Sequence, residues 1–293
     1  MMEIFDINSN DNTLIATFGC NNKCIMCCQP PIERDDIDEL YEHNIHLIEM
    51  ISRDLPIIGI SGGEPTLLGD KLVLLIERIR QKLPNTDIHI LSNGRAFSDL
   101  VYVKEIKAAA GDRLTIGIPL HSDYEKDHDI IAGANGAYRE TMLGLYNLAG
   151  MDIKIELRIV VNLMNYKRLP AFSDFIFKNL PFVSWTAFMG MEYIGYAIKN
   201  REKIWIEPIE YMSYLSKAVK ILADWNMDVS IYNLPLCLVS DEIRKFTRKS
   251  ISDWKVVYQD LCNGCAKKES CCGLFSTSKR AYEGIKAFLY EEV

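Results

Sequence analysis

Short apolar runs alternate with longer amphipathic stretches through most of the chain. The runs TLIATFG (13–19), IIGIS (57–61), DIHILS (87–92), RLTIGI (113–118), IKIELRIVV (153–161) and FVSWTAF (182–188) read as strands. Apolar residues recur at helical spacing over about 35–53, 70–83, 98–109, 137–149 and 168–179. A longer helix over about 206–225 leads to a seventh strand, MDVSIY (227–232). Strand and helix in strict alternation are the signature of βα units on a parallel sheet. Six units in tandem predict an α/β fold, either doubly wound or an incomplete barrel related to the eight-fold one, and the two differ in strand order. After about residue 235 the pattern changes to short, charged, cysteine-rich segments. This places a first domain over 1–225 and a small C-terminal module over 226–293.

Composition narrows the function. A net charge of −7 argues against a general nucleic-acid binder, whose affinity comes mostly from clustered Lys and Arg. No apolar run is long enough to span a membrane, and the polar start MMEIFDINSNDN is no signal peptide. The expected location is therefore the cytoplasm, where clustered cysteines mark metals or redox chemistry more often than disulfides. Of nine cysteines, four fall within 20–28 and five within 237–272, with none between.

Cys20, Cys24 and Cys27 form a CxxxCxxC spacing directly after the first strand. Three thiolates on one loop can ligate three irons of a [4Fe–4S] cubane and leave the fourth iron open, an arrangement suited to catalysis. A structural zinc site with a fourth ligand, from Cys28 or elsewhere, is the alternative. The other strand ends carry polar or glycine-rich turns. These are Ser61-Gly62-Gly63-Glu64-Pro65-Thr66, Ser92-Asn93-Gly94, Pro119-Leu120-His121-Ser122, Glu156 and Arg158 on the fifth strand, and Met189-Gly190-Met191-Glu192 after the sixth. The C-terminal ends of parallel strands are where a barrel builds its site.

Over about residues 13–200 these motifs resemble the radical S-adenosylmethionine (SAM) superfamily. The resemblance implies a partial (β/α)6 TIM-like barrel. Its open iron would hold the methionine moiety of SAM, which is cleaved reductively to a 5′-deoxyadenosyl radical that abstracts a substrate hydrogen. It also implies that Gly62, Gly63, Glu64 and Pro65 form the GGEP motif that takes the methionyl amine. Met26 would lie by the adenine, Ser92 and Asn93 near the cofactor, and Arg158 by its carboxylate, with Met189 a further contact. Pro119 stands where many relatives place the serine of a ribose-binding Ser-x-Asp. His121, Tyr124, Asp127, His128 and Glu156 are candidates for accepting a proton or orienting substrate, His121 and Glu156 foremost.

Cys237, with Cys262, Cys265 and Cys271 in CxxCx5C, offers four thiolates, enough for a cubane with no open iron or for a zinc ion. Cys271 opens a C-x-G-x-F pattern, which favours it over Cys272. The arrangement resembles a shortened SPASM/twitch-like auxiliary-cluster module. Long stretches such as CNNKCIMCCQPP (20–31), IPLHSDYEKDHDIIAGANGAY (118–138) and CNGCAKKESCCGLF (262–275) are similar to the C-type maturases of His-Xaa-Ser peptide systems. That likeness implies an oxidoreductase-type enzyme that modifies a ribosomally made peptide (a RiPP). Its partners would be the peptide, a partner maturase or leader-binding protein, and an electron donor such as flavodoxin or ferredoxin. Because the first strand begins at about Thr13, the leader would be gripped by a partner or by the C-terminal module. The rival expectations are a radical enzyme acting on a nucleobase or small metabolite, and a zinc-binding interaction protein.

Overall fold

The computed structural model describes residues 5–6, 9–250 and 253–289. Seven strands, β1 (Thr13–Ile15), β2 (Ile57–Ser61), β3 (Asp87–Leu91), β4 (Leu114–Pro119), β5 (Lys154–Val160), β6 (Trp185–Met189) and β7 (Val229–Tyr232), form one sheet in the order β1 to β7. A doubly wound sheet would reverse its order at a switch point. Sequential order without reversal is the arrangement of a partial barrel. The pairs β1–β2, β2–β3, β3–β4 and β6–β7 are all parallel. The sheet thus runs through Tyr232, beyond residue 225, before the cysteine-rich segment begins.

The chain divides into two compact units. The first comprises 1–23, 29–119 and 132–156, and the second 24–28, 120–131 and 157–293. The first contains α1 (Ile37–Met50), α2 (Asp70–Lys82), α3 (Leu100–Ala110) and α5 (Ala137–Ala149). In α2 the buried residues Leu72, Leu75, Ile76 and Ile79 repeat at helical spacing and make one apolar stripe. Asp99 caps α3 by accepting from the Val101 amide. The second unit contains nearly all of α4 (Glu125–Ala132), together with α6 (Leu169–Asn179), α7 (Tyr196–Lys199), α8 (Arg201–Ile204) and α9 (Pro208–Asp224). Helix α9 opens on a reciprocal Glu207–Glu210 capping box with Pro208 in its first turn.

Two features differ from the pattern-based expectation. Strand β1 stops at Ile15 instead of Gly19, although the Ala16 amide and the Thr17 carbonyl still bond to Ser61 and Gly63; side-chain bonds also hold the chain there. Thr17 Oγ1 donates to Asp36 at 2.5 Å, and the Phe18 amide donates to the same carboxylate at 3.0 Å. Helix α4 lies in a stretch to which the pattern assigned no element. Its eight residues, EKDHDIIA, carry apolar side chains only at the end, which leaves the helical period little to show. Among the described residues, no helix is long and apolar enough to cross a membrane.

In the C-terminal segment, Val256–Val257 and Leu274–Phe275 pair antiparallel. The following residues pack onto 191–207. The Tyr282 hydroxyl donates to the Met191 carbonyl at 2.8 Å, and its ring stacks on Trp205 at 5.8 Å.

Candidate functional site

In the first unit, the loops after β1, β2 and β3 are knitted together around one carboxylate. Glu64 is 1% exposed, and its Oε1 accepts from the Thr66 amide (3.1 Å), the Thr66 hydroxyl (2.7 Å) and the Ser92 hydroxyl (2.7 Å). Its Oε2 accepts from the Asn93 amide at 2.6 Å. Burial pushes the carboxyl pKa up, against the pull of these donors. Asn93 also donates to Asn21 Oδ1 at 2.6 Å, and Arg95 donates to the Asn21 carbonyl and to Asn22 Oδ1, both at 2.8 Å. The residues around Cys20 are thus tied to the turn after β3, and Arg95 is a tether the motifs did not single out. Cys20 Sγ accepts from the Asn22 amide at 3.4 Å, while burial raises the thiol pKa.

Gly62 and Gly63 have a steric reason to lack side chains. A Cβ on Gly63 would lie 1.9 Å from the Gly19 carbonyl oxygen, and one on Gly62 would lie 2.4 Å from that of Thr17. Their smallness lets the loop after β2 lie against the loop after β1. The Gly63 and Glu64 amides donate to the Thr17 and Gly19 carbonyls at 2.7 and 2.8 Å. Pro65 is buried and begins the short helical turn Pro65–Leu68.

Also in the first unit, His89 Nε2 lies 2.9 Å from Glu156 Oε2, with side chains 21% and 6% exposed. The two residues lie on β3 and β5, with Gly117 of β4 between them. A Cβ on Gly117 would stand 3.2 Å from each of those two atoms. The glycine therefore makes room for the pair. His89 was missed by the sequence reading. Its signal was a histidine between two isoleucines in DIHIL, on the opposite face of the strand from them.

In the second unit, the Ile25 amide donates to the Ile131 carbonyl at 2.9 Å, Asn200 Nδ2 to the Ile25 carbonyl at 2.9 Å, and the Tyr196 amide to the Cys27 carbonyl at 2.9 Å. Met26 is buried in an apolar cluster with Ile131, Met191, Ala197 and Ile204. Cys24 and Cys27 are half-buried and Cys28 is exposed. His121 is buried with its Nε2 4.0 Å from Cys24 Sγ, and its pKa is held well below 6.5, first by burial and then by His128. Arg158 and Met189 are half-buried on β5 and at the end of β6, whereas Tyr124 is exposed.

The four C-terminal thiols, Cys237, Cys262, Cys265 and Cys271, line one cavity. Backbone amides point at their sulfurs. Leu236 and Gly273 donate to Cys271 and Phe288 to Cys265, each at 3.4 Å. The Cys272 thiol beside it and these amides hold Cys271 down at about 6, while burial raises Cys237. Cys272 is buried, is pushed upward by Cys271 and by desolvation, and is not among the cavity's lining residues. The donor sets fit iron–sulfur clusters by their chemistry. The C-terminal set has four thiols with amide donors on two sulfurs, and the loop after β1 carries three thiols within eight residues.

Comparison with known proteins bears on the region that carries the first of these sets. The family model described as Radical SAM superfamily matches residues 14–176, more than half of the chain. Fe-coproporphyrin III synthase of Methanosarcina barkeri is 28% identical over 162 residues, 55% of this chain and 39% of that protein. Two solved structures share the fold. The anSMEcpe enzyme with bound AdoMet and Cp18Cys peptide aligns with a TM-score of 0.65 at 15% identity, over 95% of this chain and 92% of that one. Streptococcus suis SuiB bound to S-adenosylmethionine aligns at 0.57 and 14% identity, over 75% and 49%. The chain spans 39% of the length of the curated relative and about half of SuiB.

Proposed function

Because this chain belongs to the radical SAM superfamily, we propose that it binds a [4Fe–4S] cluster through Cys20, Cys24 and Cys27 and modifies a ribosomally made peptide by radical chemistry. The observation that carries the reading is the CxxxCxxC loop directly after β1 of the matched region. When bound, such a cluster supplies the electron that splits the SAM sulfonium and yields a 5′-deoxyadenosyl radical.

The chain's own residues would bind and orient the cofactor. In the first unit, Glu64 Oε2 accepts one hydrogen bond where Oε1 accepts three, so it retains capacity for the methionyl ammonium. Gly62, Gly63 and Pro65 set the backbone of that turn, and Ser92 and Asn93 hold the carboxylate in place. In the second unit, Arg158 would meet the cofactor carboxylate, with Met26 and Met189 as apolar contacts of its adenosyl part. Glu156, partnered by His89, is the proposed proton acceptor for substrate.

Cys237, Cys262, Cys265 and Cys271 would hold a second, auxiliary [4Fe–4S] cluster in a C-terminal module over 226–293. Four thiols lining one cavity, with backbone amides donating to two of the sulfurs, support this reading. Peptide modification gains support from the likeness to the peptide-bound anSMEcpe structure over nearly the whole chain. Its partners would be the peptide, a partner maturase or leader-binding protein, and flavodoxin or ferredoxin as electron donor.

The test is to incubate reconstituted protein anaerobically with reductant, SAM and candidate peptides rich in His-Xaa-Ser. A peptide mass change with formation of 5′-deoxyadenosine supports the reading. A second reading, action on a tetrapyrrole or other small metabolite, follows from the coproporphyrin III synthase likeness. Turnover of coproporphyrin and not of peptide would favour it.

A further inference from the structure

His121 and His128 lie in the second unit with ring centroids 5.0 Å apart. His121 is 3% exposed and is clamped along its backbone. Its amide donates to His128 Nδ1 at 3.2 Å, and its carbonyl accepts from Asn165 Nδ2 at 3.0 Å. Asn165 is itself held, since its Oδ1 accepts from the Asn162 amide at 2.9 Å. The ring therefore has a set position, with Nε2 4.0 Å from Cys24 Sγ, the outer limit of an N–H···S bond. On the other side of the ring, Nδ1 is buried and has no hydrogen-bond partner among the described residues.

These facts choose the tautomer. A neutral imidazole carries one N–H, on Nδ1 or on Nε2. A proton on Nδ1 would leave a buried donor with nothing to receive it, the rarer and costlier kind of orphan. A proton on Nε2 points that donor at the Cys24 sulfur and leaves only a lone pair unmatched. A cluster-bound thiolate has no proton of its own to offer and can only accept.

We propose that His121 is a positioning residue that donates Nε2–H to the Cys24 sulfur and thereby sets the reduction potential of the cluster on the CxxxCxxC loop. The proposal rests on the reading of Cys24 as a cluster ligand. A donor at a ligand sulfur draws off negative charge and favours the more negative reduced state, which raises the potential. His121 is thus assigned to the cluster and no longer to proton transfer from substrate.

The experiment is an EPR-monitored redox titration of anaerobically reconstituted full-length protein, following the signal that changes when SAM is added. His121→Leu is expected to retain iron and the SAM-responsive signal but to titrate at a lower potential than the unaltered protein. His121→Gln, which keeps an N–H donor, should recover at least part of that shift. Should the leucine variant fail to fold, His121→Phe fills the ring's volume without an N–H and makes the same comparison. Donor-lacking variants that titrate at the unaltered potential overturn the proposal. Unaltered protein with no SAM-responsive cluster overturns instead the ligand assignment beneath it.

Discussion

Glu64 joins two strand ends with a single side chain. Truncation to alanine strands the Ser92 hydroxyl, the Asn93 amide and the Thr66 donors in a buried place. A buried donor left without its partner costs about 1–3 kcal/mol. Glu64→Ala is therefore expected to lower the stability of the metal-free protein by at least that amount in urea unfolding, besides weakening SAM binding. Unchanged unfolding with weakened binding would assign Glu64 to the cofactor alone. The motif around Glu64 was legible in the sequence, but its partners were not. Ser92 and Asn93 meet it only because β2 and β3 pair in parallel and end side by side. The His89–Glu156 pair was half legible for the same reason, since the two residues lie 67 positions apart and meet across β4.

His128 supplies a pH test at the same scale. Burial holds its pKa at about 4, below the ordinary 6.5, so the fold favours the neutral ring that accepts from the His121 amide. A depressed folded-state pKa contributes stability that is intact above pH 6.5 and is lost as pH falls towards 4. The melting temperature of the metal-free protein should fall over that window. In His128→Gln the fall should be shallower. Parallel curves for the two proteins would deny His128 this role.

At the scale of elements, close backbone approaches position the site loops. Gly63 faces the Gly19 carbonyl, and Gly133, with φ of +62°, faces the Lys23 carbonyl, where a Cβ would lie 2.2 Å away. Neither obstacle is a flexible side-chain end, so neither can swing aside. Gly63→Ala and Gly133→Ala are each expected to cost about 1–3 kcal/mol, the range for overpacked sites, as read by thermal or urea unfolding. An alanine variant as stable as the unaltered protein would mean that the loops do not approach as described. The strands and long helices were legible because Ile and Val runs and the stripe of α2 carry clear periods. The end of strand β1 and helix α4 were not, since the strand-like pattern TLIATFG runs on past Ile15 and α4 is too short to show a period.

At the scale of the whole molecule, the alternation of strand and helix predicted a parallel sheet but left its order open. Order depends on pairing between distant segments, which a one-dimensional pattern does not encode. The two cysteine groups were legible by spacing. The cavity that four of them share arises from segments 25 residues apart, Cys237 and Cys262, brought together by the C-terminal fold. Replacement of Cys237, Cys262, Cys265 and Cys271 by alanine should reduce iron from about eight to about four per chain if both sites hold cubanes. Loss of all iron would show that the two cysteine groups do not bind independently, and loss of none that the C-terminal group holds no iron.

The central claim is that Cys20, Cys24 and Cys27 hold a cluster able to cleave SAM. Its most direct test is quantification of 5′-deoxyadenosine from reconstituted protein given dithionite and SAM under anaerobic conditions, beside a variant with these three cysteines changed to alanine. The account predicts 5′-deoxyadenosine from the unaltered protein and none above background from the variant. Equal amounts from both, or none from an iron-loaded unaltered protein, would contradict it.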